Sequence, residues 1–163
     1  MDKTGFNQLM ARLRPKLYRF ALALTRRTDE AEDVVQEIGI KLWERRDELE
    51  ALRSIEAYAM SAVRNRCLDY ARSPHNRTDE LPEAYDSTHE QTPYQMVEQA
   101  DMAAFVRKLI NRLPEQQQMV IRLRDVEGYE LEEIAEILGM NEGTVRTNLS
   151  RARQKIREEI LKQ

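Results

Sequence analysis

The sequence predicts an all-α protein made of two small helical domains that are joined by a flexible acidic linker. Apolar residues recur every three or four positions through most of the chain, and no segment alternates as a strand would. Residues 74–92 interrupt this periodicity with turn-forming and acidic residues. The charged content of 34% with only five glycines and five prolines is typical of a helix-rich soluble protein.

Charge is distributed unevenly along the predicted domains, which comprise residues 1–73, a linker at 74–92, and residues 93–163. Residues 74–101 carry one basic and seven acidic side chains, and therefore account for the net charge of −3. Residues 143–163 carry six basic and two acidic side chains. Such a local basic patch is of the kind that contacts phosphate, whatever the charge of the whole chain.

The first domain is predicted to contain three or four helices, with residues 6–24, a segment that begins near residue 28, and residues 54–72 in helical pattern. Pro15 either kinks or splits the first of them, because proline removes a backbone donor. Asp29 and Glu32 have the spacing of a capping box at the start of the second.

Four helices are predicted in the second domain: one from Pro93, one from Glu115 to before Gly128, and two at about 131–138 and 142–161. Proline suits the first position of a helix, where no backbone donor is needed. Glycine suits the position that ends a helix, because it tolerates a positive φ.

Residues 131–145 have the spacing of a helix-turn-helix. Ala135 is small enough for the close contact between the two helices, and Gly139, four residues later, permits the turn. Val145 supplies an apolar residue early in the second helix, and Asn141 is placed to cap it. These features together predict a DNA-binding element.

The second helix of this element separates into distinct faces when its residues are placed at 100° intervals. A stripe predicted to face the core contains Val145, Leu149, Ala152, Ile156 and Ile160. The outward face contains Thr147, Ser150, Arg151 and Gln154, and one edge contains Arg146, Arg153 and Arg157. The predicted DNA contacts, including a phosphate contact at the helix start, are Thr144, Arg146, Thr147, Ser150, Arg151 and Arg153. A solvated charged face is the alternative interpretation.

Features of a catalytic or metal-binding protein are absent from the sequence. It contains no glycine-rich phosphate loop, no nucleophile beside a base and no set of metal ligands, so we expect no enzyme, cofactor or small-molecule substrate. His75 and His89 lie in the linker, and the single cysteine, Cys67, is expected in the core. Charges throughout the first 20 residues, and no apolar run of about 18 residues, predict a cytoplasmic protein.

Two sets of motifs resemble conserved regions 2 and 4 of the extracytoplasmic-function (ECF) sigma factors of the sigma-70 family. The first set contains Ala31-Glu-Asp-Val-Val-Gln-Glu-Ile38, Lys41-Leu-Trp43 and Ala62-Val-Arg-Asn65. The second contains Leu113-Pro-Glu, Val126-Glu-Gly-Tyr, Glu133-Ile-Ala-Glu-Ile-Leu-Gly and Gly143-Thr-Val-Arg-Thr-Asn-Leu-Ser-Arg-Ala-Arg153. The predicted short acidic linker stands where larger sigma factors have a middle domain, and in this respect the chain also resembles the ECF group.

The resemblance implies roles for the first domain. The second helix would dock on the β′ clamp helices of RNA polymerase through Asp33, Gln36, Glu37, Lys41 and Trp43. Trp43 fits the core equally well. The third helix would contact the −10 promoter region through Arg64, Asn65, Arg66 and Arg72.

Two departures from the family pattern bear on those roles. The loop at residues 47–53, which in the family helps to hold the opened strand, has Leu49-Glu50-Ala51 where Phe-Arg-Gly is frequent. Gly39 stands where phenylalanine is common. The first departure leaves the −10 preference open, and the second weakens the docking assignment.

The implied function is promoter recognition and transcription initiation, with region 4 reading the −35 element. The implied partners are core RNA polymerase, through the β′ clamp helices and the β flap, promoter DNA, and a cognate anti-sigma factor that could hold the protein at the inner membrane. The alternative is a stand-alone helix-turn-helix regulator of the response-regulator output type. That class predicts an upstream α/β domain, whereas residues 1–73 have a helical pattern.

Overall fold

The computed structural model describes residues 1–72 and 93–162, with side chains at 1–70 and 100–162. In these ranges every regular element is helical: α1 (Lys3–Thr25), α2 (Thr28–Glu44), α3 (Arg46–Leu49), α4 (Ile55–Arg72), α5 (Pro93–Asn111), α6 (Glu115–Ile121), a π-helical turn (Arg122–Val126), α7 (Leu131–Leu138) and α8 (Glu142–Leu161). The all-α prediction is confirmed. The predicted linker and its two histidines lie outside the described residues.

The chain forms two compact units. The first contains α1–α4, and the second contains α5, α6, α8 and the start of α7 through Ala135. In the first unit, α1 packs against both α2 and α4. The predicted domain limits at residues 73 and 93 stay predictions.

Helix α1 runs through Pro15 without ending, so proline does not split it. The carboxylate of Asp2 accepts a hydrogen bond from the Gly5 N–H at 2.7 Å and thereby caps the helix. Leu13 and Leu17, on either side of Pro15, are completely buried. Burial of this apolar face offsets the cost of the hydrogen bond that proline cannot make.

The predicted capping box at the start of α2 is wrong. The residue before the helix is Arg27, which makes no side-chain cap, and Asp29 lies within the first turn. Arg27 Nε and Nη2 donate to the two carboxylate oxygens of Asp29 at 3.3 and 3.2 Å. This pairing is the largest cause of the lowered pKa of Asp29, and backbone N–H groups of the first turn lower it further.

Gly39 lies in the middle of α2 beside Met10 of α1. A methyl group at Gly39 would lie 3.5 Å from Met10 Cε, which is an ordinary packing distance. Glycine in a helix interior destabilises it by roughly 0.5–1 kcal/mol relative to alanine. Gly39→Ala is therefore expected to raise the free energy of unfolding by about that amount in denaturant titrations. A decrease would mean that Met10 cannot accommodate the methyl group.

The second unit contains an element that the sequence did not indicate. Helix α6 passes into a π-helical turn, in which the Glu127 N–H donates to the Arg122 carbonyl at 2.9 Å. Gly128 follows with a φ of 82°, consistent with its predicted role in ending the segment. The turn widens the helix by one residue and places Asp125 on the surface.

The apolar stripe of α8 is buried at its start and exposed at its end. Helix α8 packs on α5 and α6. Its residues Val145, Leu149 and Ala152 are buried, as predicted. Ile156 is half-buried, and Ile160 is 39% exposed, so the prediction for Ile160 is wrong. The periodicity continues one turn beyond the part of the helix that is covered.

Candidate functional site

The turn between α7 and α8 has the geometry of a helix-turn-helix. Gly139 has a φ of 65°, the left-handed conformation that favours glycine. The Met140 N–H reaches back to the Ala135 carbonyl at 3.1 Å and closes the end of α7. Asn141 Oδ1 then accepts the Thr144 N–H at 2.7 Å and caps α8. The predicted turn glycine and the predicted cap are both confirmed.

Removal of this cap tests how much the turn depends on one side chain. Asn141→Ala leaves the Thr144 N–H without its acceptor and is expected to destabilise the second unit by about 1 kcal/mol. Asn141→Ser keeps a side-chain oxygen and is expected to restore most of this loss. Thermal unfolding monitored by circular dichroism measures both variants, and equal stability of the wild-type and alanine proteins would contradict the assignment.

The outward face of α8 is exposed along its length. All four predicted residues, Thr147, Ser150, Arg151 and Gln154, are exposed. Thr147 donates its hydroxyl to the Gly143 carbonyl at 3.0 Å, and Gln154 donates to Glu158 at 3.2 Å. The side chains of Ser150 and Arg151 have no hydrogen bond or ion pair to any other described residue. Their polar groups are thus available to a ligand.

The basic edge of α8, defined by Arg146, Arg153 and Arg157, is partly neutralised within the protein. Arg146 Nη2 lies 3.6 Å from Glu142 Oε2. Arg153 Nε donates to Asp125 Oδ2 at 3.0 Å, and its Nη2 donates to Oδ1. This hydrogen bonding raises the pKa of Arg153. Arg157 has no such partner in the described part of the chain.

Thr144, the last member of the predicted DNA set, is half-buried at the first turn of α8. Its backbone N–H is already bound by the Asn141 cap, and its carbonyl accepts the Asn148 side-chain amide at 3.0 Å. A phosphate at this end of the helix would therefore meet its hydroxyl and the remaining backbone donors of the first turn.

A second candidate surface, after that of α8, lies on helix α2 in the first unit. Asp33, Gln36 and Lys41 are exposed, as a docking face requires. Between them lies Ile40, whose side chain is 60% exposed. Ile40 was not among the residues predicted from the sequence, although its spacing of four residues from Gln36 and three from Glu37 places it on the same face. An exposed isoleucine among polar residues suits a protein interface.

Trp43 belongs partly to the core and partly to the surface. Its ring contacts Phe6 edge-on, with centroids 5.1 Å apart, and Phe6 is buried. The guanidinium of Arg46 lies 3.9 Å above the same ring. The side chain remains half-buried, so the two interpretations of Trp43 are compatible.

Glu37 and Arg66, predicted for different sites, bind each other across α2 and α4. Arg66 Nε donates to Glu37 Oε2 at 2.6 Å, and Arg66 Nη2 lies 3.4 Å from Oε1. The guanidinium also lies 4.3 Å from the ring centre of Tyr70. Hydrogen bonding to Glu37 raises the pKa of Arg66. The structure therefore links the predicted docking face to the predicted −10 face.

The remaining −10 candidates lie on α4. Asn65 is exposed, and Arg64 is half-buried and donates from Nη1 to Asn65 Oδ1 at 3.2 Å. The side chain of Arg72 lies outside the described residues. These contacts leave Asn65 as the most accessible of the predicted residues.

The loop between α2 and α4 has both a buried and an exposed apolar residue. Leu49, which stands where the family frequently has phenylalanine, is 1% exposed and fixes α3 to the core. Leu52 is 37% exposed, and Tyr58 on α4 is 36% exposed. Arg45 Nη1 donates to the Tyr58 hydroxyl at 3.4 Å. Tyr58 and Leu52 were not among the site residues predicted from the sequence.

No metal site is evident among the residues that the structure describes, since they contain no group of three or more histidine, cysteine or acidic side chains in coordinating positions. Cys67 is buried as expected, and burial raises the pKa of its thiol to about 12. Within the same ranges, no helix has the length and apolar character needed to cross a bilayer.

Comparison with known proteins matches both units to one family. A family model described as "Sigma-70 region 2" matches residues 9–78, and one described as "Sigma-70, region 4" matches residues 106–156. An ECF RNA polymerase sigma-E factor from Haemophilus influenzae is 33% identical, over 98% of this chain and 89% of the relative. SigE from Mycolicibacterium smegmatis is 28% identical over 97% of this chain. The chain spans 62% of SigE and 36% of RfaY, a probable sigma factor from Xanthomonas campestris.

Two solved structures have a similar fold. RpoE from Bartonella quintana, solved with the anti-sigma factor NepR, has a TM-score of 0.74 and 25% identity, over 94% of this chain and 95% of that one. CnrH, solved with the cytosolic domain of CnrY, has a TM-score of 0.69 at 21% identity, over 98% of this chain and 89% of its own. The second similarity concerns the fold alone.

Proposed function

This chain belongs to the ECF sigma factors of the sigma-70 family, and we propose that it initiates transcription as the promoter-reading subunit of RNA polymerase. The observation that carries the proposal is a helix-turn-helix with an exposed polar and basic face in a chain that also contains sigma region 2. In this assignment, residues 1–73 bind core polymerase and the −10 region, 74–92 form the linker, and 93–163 bind the −35 element.

Recognition of the −35 element is assigned to the face of α8. The major groove is about 12 Å wide and accepts an α-helix, whose outward side chains then meet the base edges. Ser150 and Arg151 are exposed and without a partner among the described residues, which supports base contacts. Thr147 lies beside them. Thr144, Arg146 and Arg153 lie toward the edges of the helix, where the phosphates are.

Docking on core polymerase is assigned to the exposed face of α2. Asp33, Gln36, Glu37 and Lys41 provide polar contacts around Ile40, and Trp43 lies at the margin. An apolar centre with a polar rim is the usual composition of a protein interface. By the family resemblance, the partner of this face is the β′ clamp helices, and the second unit contacts the β flap.

Contact with the −10 region is assigned to α4 and the loop before it. Arg64, Asn65, Arg66 and Arg72 would contact the backbone of the opened strand. Holding that strand requires a surface that favours an unstacked base, and exposed aromatic or apolar side chains provide it. Leu52 and Tyr58 are such side chains, and we add them to the predicted set.

An anti-sigma factor is the proposed regulatory partner. Both similar solved structures contain a bound protein, the anti-sigma factor NepR in one and the cytosolic domain of CnrY in the other. We assign the chain to the cytoplasm, where a partner of this kind could also hold it at the inner membrane. No catalytic step, cofactor or small-molecule substrate is assigned, since binding alone accounts for the activity.

Association with core polymerase separates this proposal from a stand-alone regulator. The full chain is mixed with core enzyme, isolated by affinity capture, and tested in parallel for promoter binding without polymerase. Stable co-purification with core, and promoter binding that depends on core, are expected. A chain that binds promoter DNA tightly by itself and never retains core polymerase would instead support the regulator.

A further inference from the structure

Asp125 and Arg153 form an ion pair at the edge of the candidate DNA-reading helix. Asp125 belongs to the π-helical turn and Arg153 to α8, 28 residues further along the chain. Two N–H groups of one guanidinium donate to the two oxygens of one carboxylate. Both side chains are accessible, Arg153 at 45% and Asp125 at 37% of their surface. The pair is therefore within reach of a ligand that approaches this edge.

The edge has a defined relation to DNA if α8 lies in the major groove. A helix of about 10–12 Å diameter nearly fills a groove about 12 Å wide, so the sides of the helix face the phosphate backbones. Arg146, Arg153 and Arg157 lie within about 40° of one another along one side at 100° per residue. A cation there contacts phosphate, which carries no sequence information directly.

We propose that Asp125 competes with DNA phosphate for Arg153 and so limits the sequence-independent part of DNA binding. The inference rests on the proposed function, because it takes α8 as the DNA-reading helix. A guanidinium whose charge is balanced by a carboxylate at hydrogen-bond distance attracts a phosphate less than a free one. The carboxylate is fixed by the π-helical turn, so it accompanies Arg153 to the DNA.

Two features distinguish Asp125 from the other carboxylates near α8. Glu142 and Glu159 pair with cations four residues away on α8 itself, by ordinary helical spacing. Asp125 comes from a different element, and both of its oxygens accept hydrogen bonds from the guanidinium. Carboxylates and phosphates both bind arginine through two parallel N–H···O hydrogen bonds, so Asp125 uses the same two N–H groups that a phosphate would use.

The size of the effect follows from counterion release. Each neutralised phosphate changes the slope of log K against log salt by about 0.9, which corresponds to about three- to fourfold in affinity between about 50 and 200 mM salt. The gain in affinity from releasing Arg153 is therefore expected to be about three- to fourfold larger at about 50 mM salt than at about 200 mM. Promoter and non-promoter duplexes should gain alike.

The test uses the full chain assembled with core polymerase, and measures its affinity for promoter and random duplexes over a range of salt concentrations. Asp125→Asn removes the charge and keeps the shape. Glu130→Gln is the matched control: it removes one charge from an exposed carboxylate of the same unit, which pairs with Arg124 at 3.3 Å. Arg153→Ala and the double variant Asp125→Asn/Arg153→Ala complete the cycle. Thermal unfolding of each variant confirms that it is folded.

Asp125→Asn is expected to bind both duplexes more tightly, and its slope of log K against log salt should be steeper by about one. Glu130→Gln should change the affinity little. In the Arg153→Ala background, Asp125→Asn should give no gain in affinity. An equal gain in Glu130→Gln, or a gain that persists without Arg153, would overturn the competition. So would unchanged or weaker binding by Asp125→Asn. If wild-type holoenzyme binds the promoter and only the Asp125 result fails, the proposed function stands; if wild-type holoenzyme does not bind, both fail.

Discussion

Ile40→Asp is expected to weaken the binding of this chain to core polymerase by about a hundredfold or more. Ile40 is 60% exposed in the middle of the α2 face, so it contributes little to the core of its own unit. In the proposed complex it would be covered. A charge without a partner in a covered position costs about 3–5 kcal/mol, and about 1.4 kcal/mol corresponds to a tenfold change in affinity.

The stability of Ile40→Asp should remain close to that of the wild-type chain, because the site is solvated in the free protein. Leu52→Asp is the control, since Leu52 is a 37% exposed apolar residue of the same unit that is assigned to the −10 region rather than to core, so it should not change core binding in the absence of DNA. Affinity for immobilised core polymerase measures the effect. Wild-type affinity in Ile40→Asp would remove α2 from the docking surface.

Arg151→Ala is expected to weaken promoter binding by the holoenzyme by about 1–3 kcal/mol, if Arg151 binds a guanine with two hydrogen bonds. Arg151 is exposed and unpaired among the described residues, so none of those residues competes for it. The loss should be largest on the preferred −35 sequence and small on random DNA. Arg146→Ala should act in the same direction and less strongly, because Glu142 already lies 3.6 Å from Arg146.

Arg112→Ala is the control for this prediction. Arg112 is an exposed arginine of the same unit that lies between α5 and α6, so its replacement removes the same charge from a segment other than α8. A base-reading role predicts that only Arg151→Ala changes the ranking of −35 sequences. If both variants lose equal affinity on every sequence, Arg151 contributes charge alone.

The local elements could be predicted from the sequence because their signals are local. Helices α7 and α8 begin and end at the predicted residues, and the turn between them depends on Gly139 and Asn141, each of which acts through its own backbone or side chain. The continuation of α1 through Pro15 was left open, because it depends on packing against α2 and α4 rather than on residues nearby.

The contacts that shape the candidate sites could not be predicted in this way. Glu37 and Arg66 are 29 residues apart, and Asp125 and Arg153 are 28 apart, so their pairing exists only once the helices have packed. The exposure of Ile40 was not predicted, and helical spacing wrongly placed Ile160 in a core that ends before the last turn of α8. The π-helical turn has no simple residue signature.

Transcription by core RNA polymerase with and without this chain, on a library of genomic promoter fragments, tests the central claim most directly. We predict that the chain directs initiation from a subset of fragments that share a −35 and a −10 element at a fixed separation. Initiation no greater than with core enzyme alone would contradict the assignment of this chain as a promoter-reading subunit.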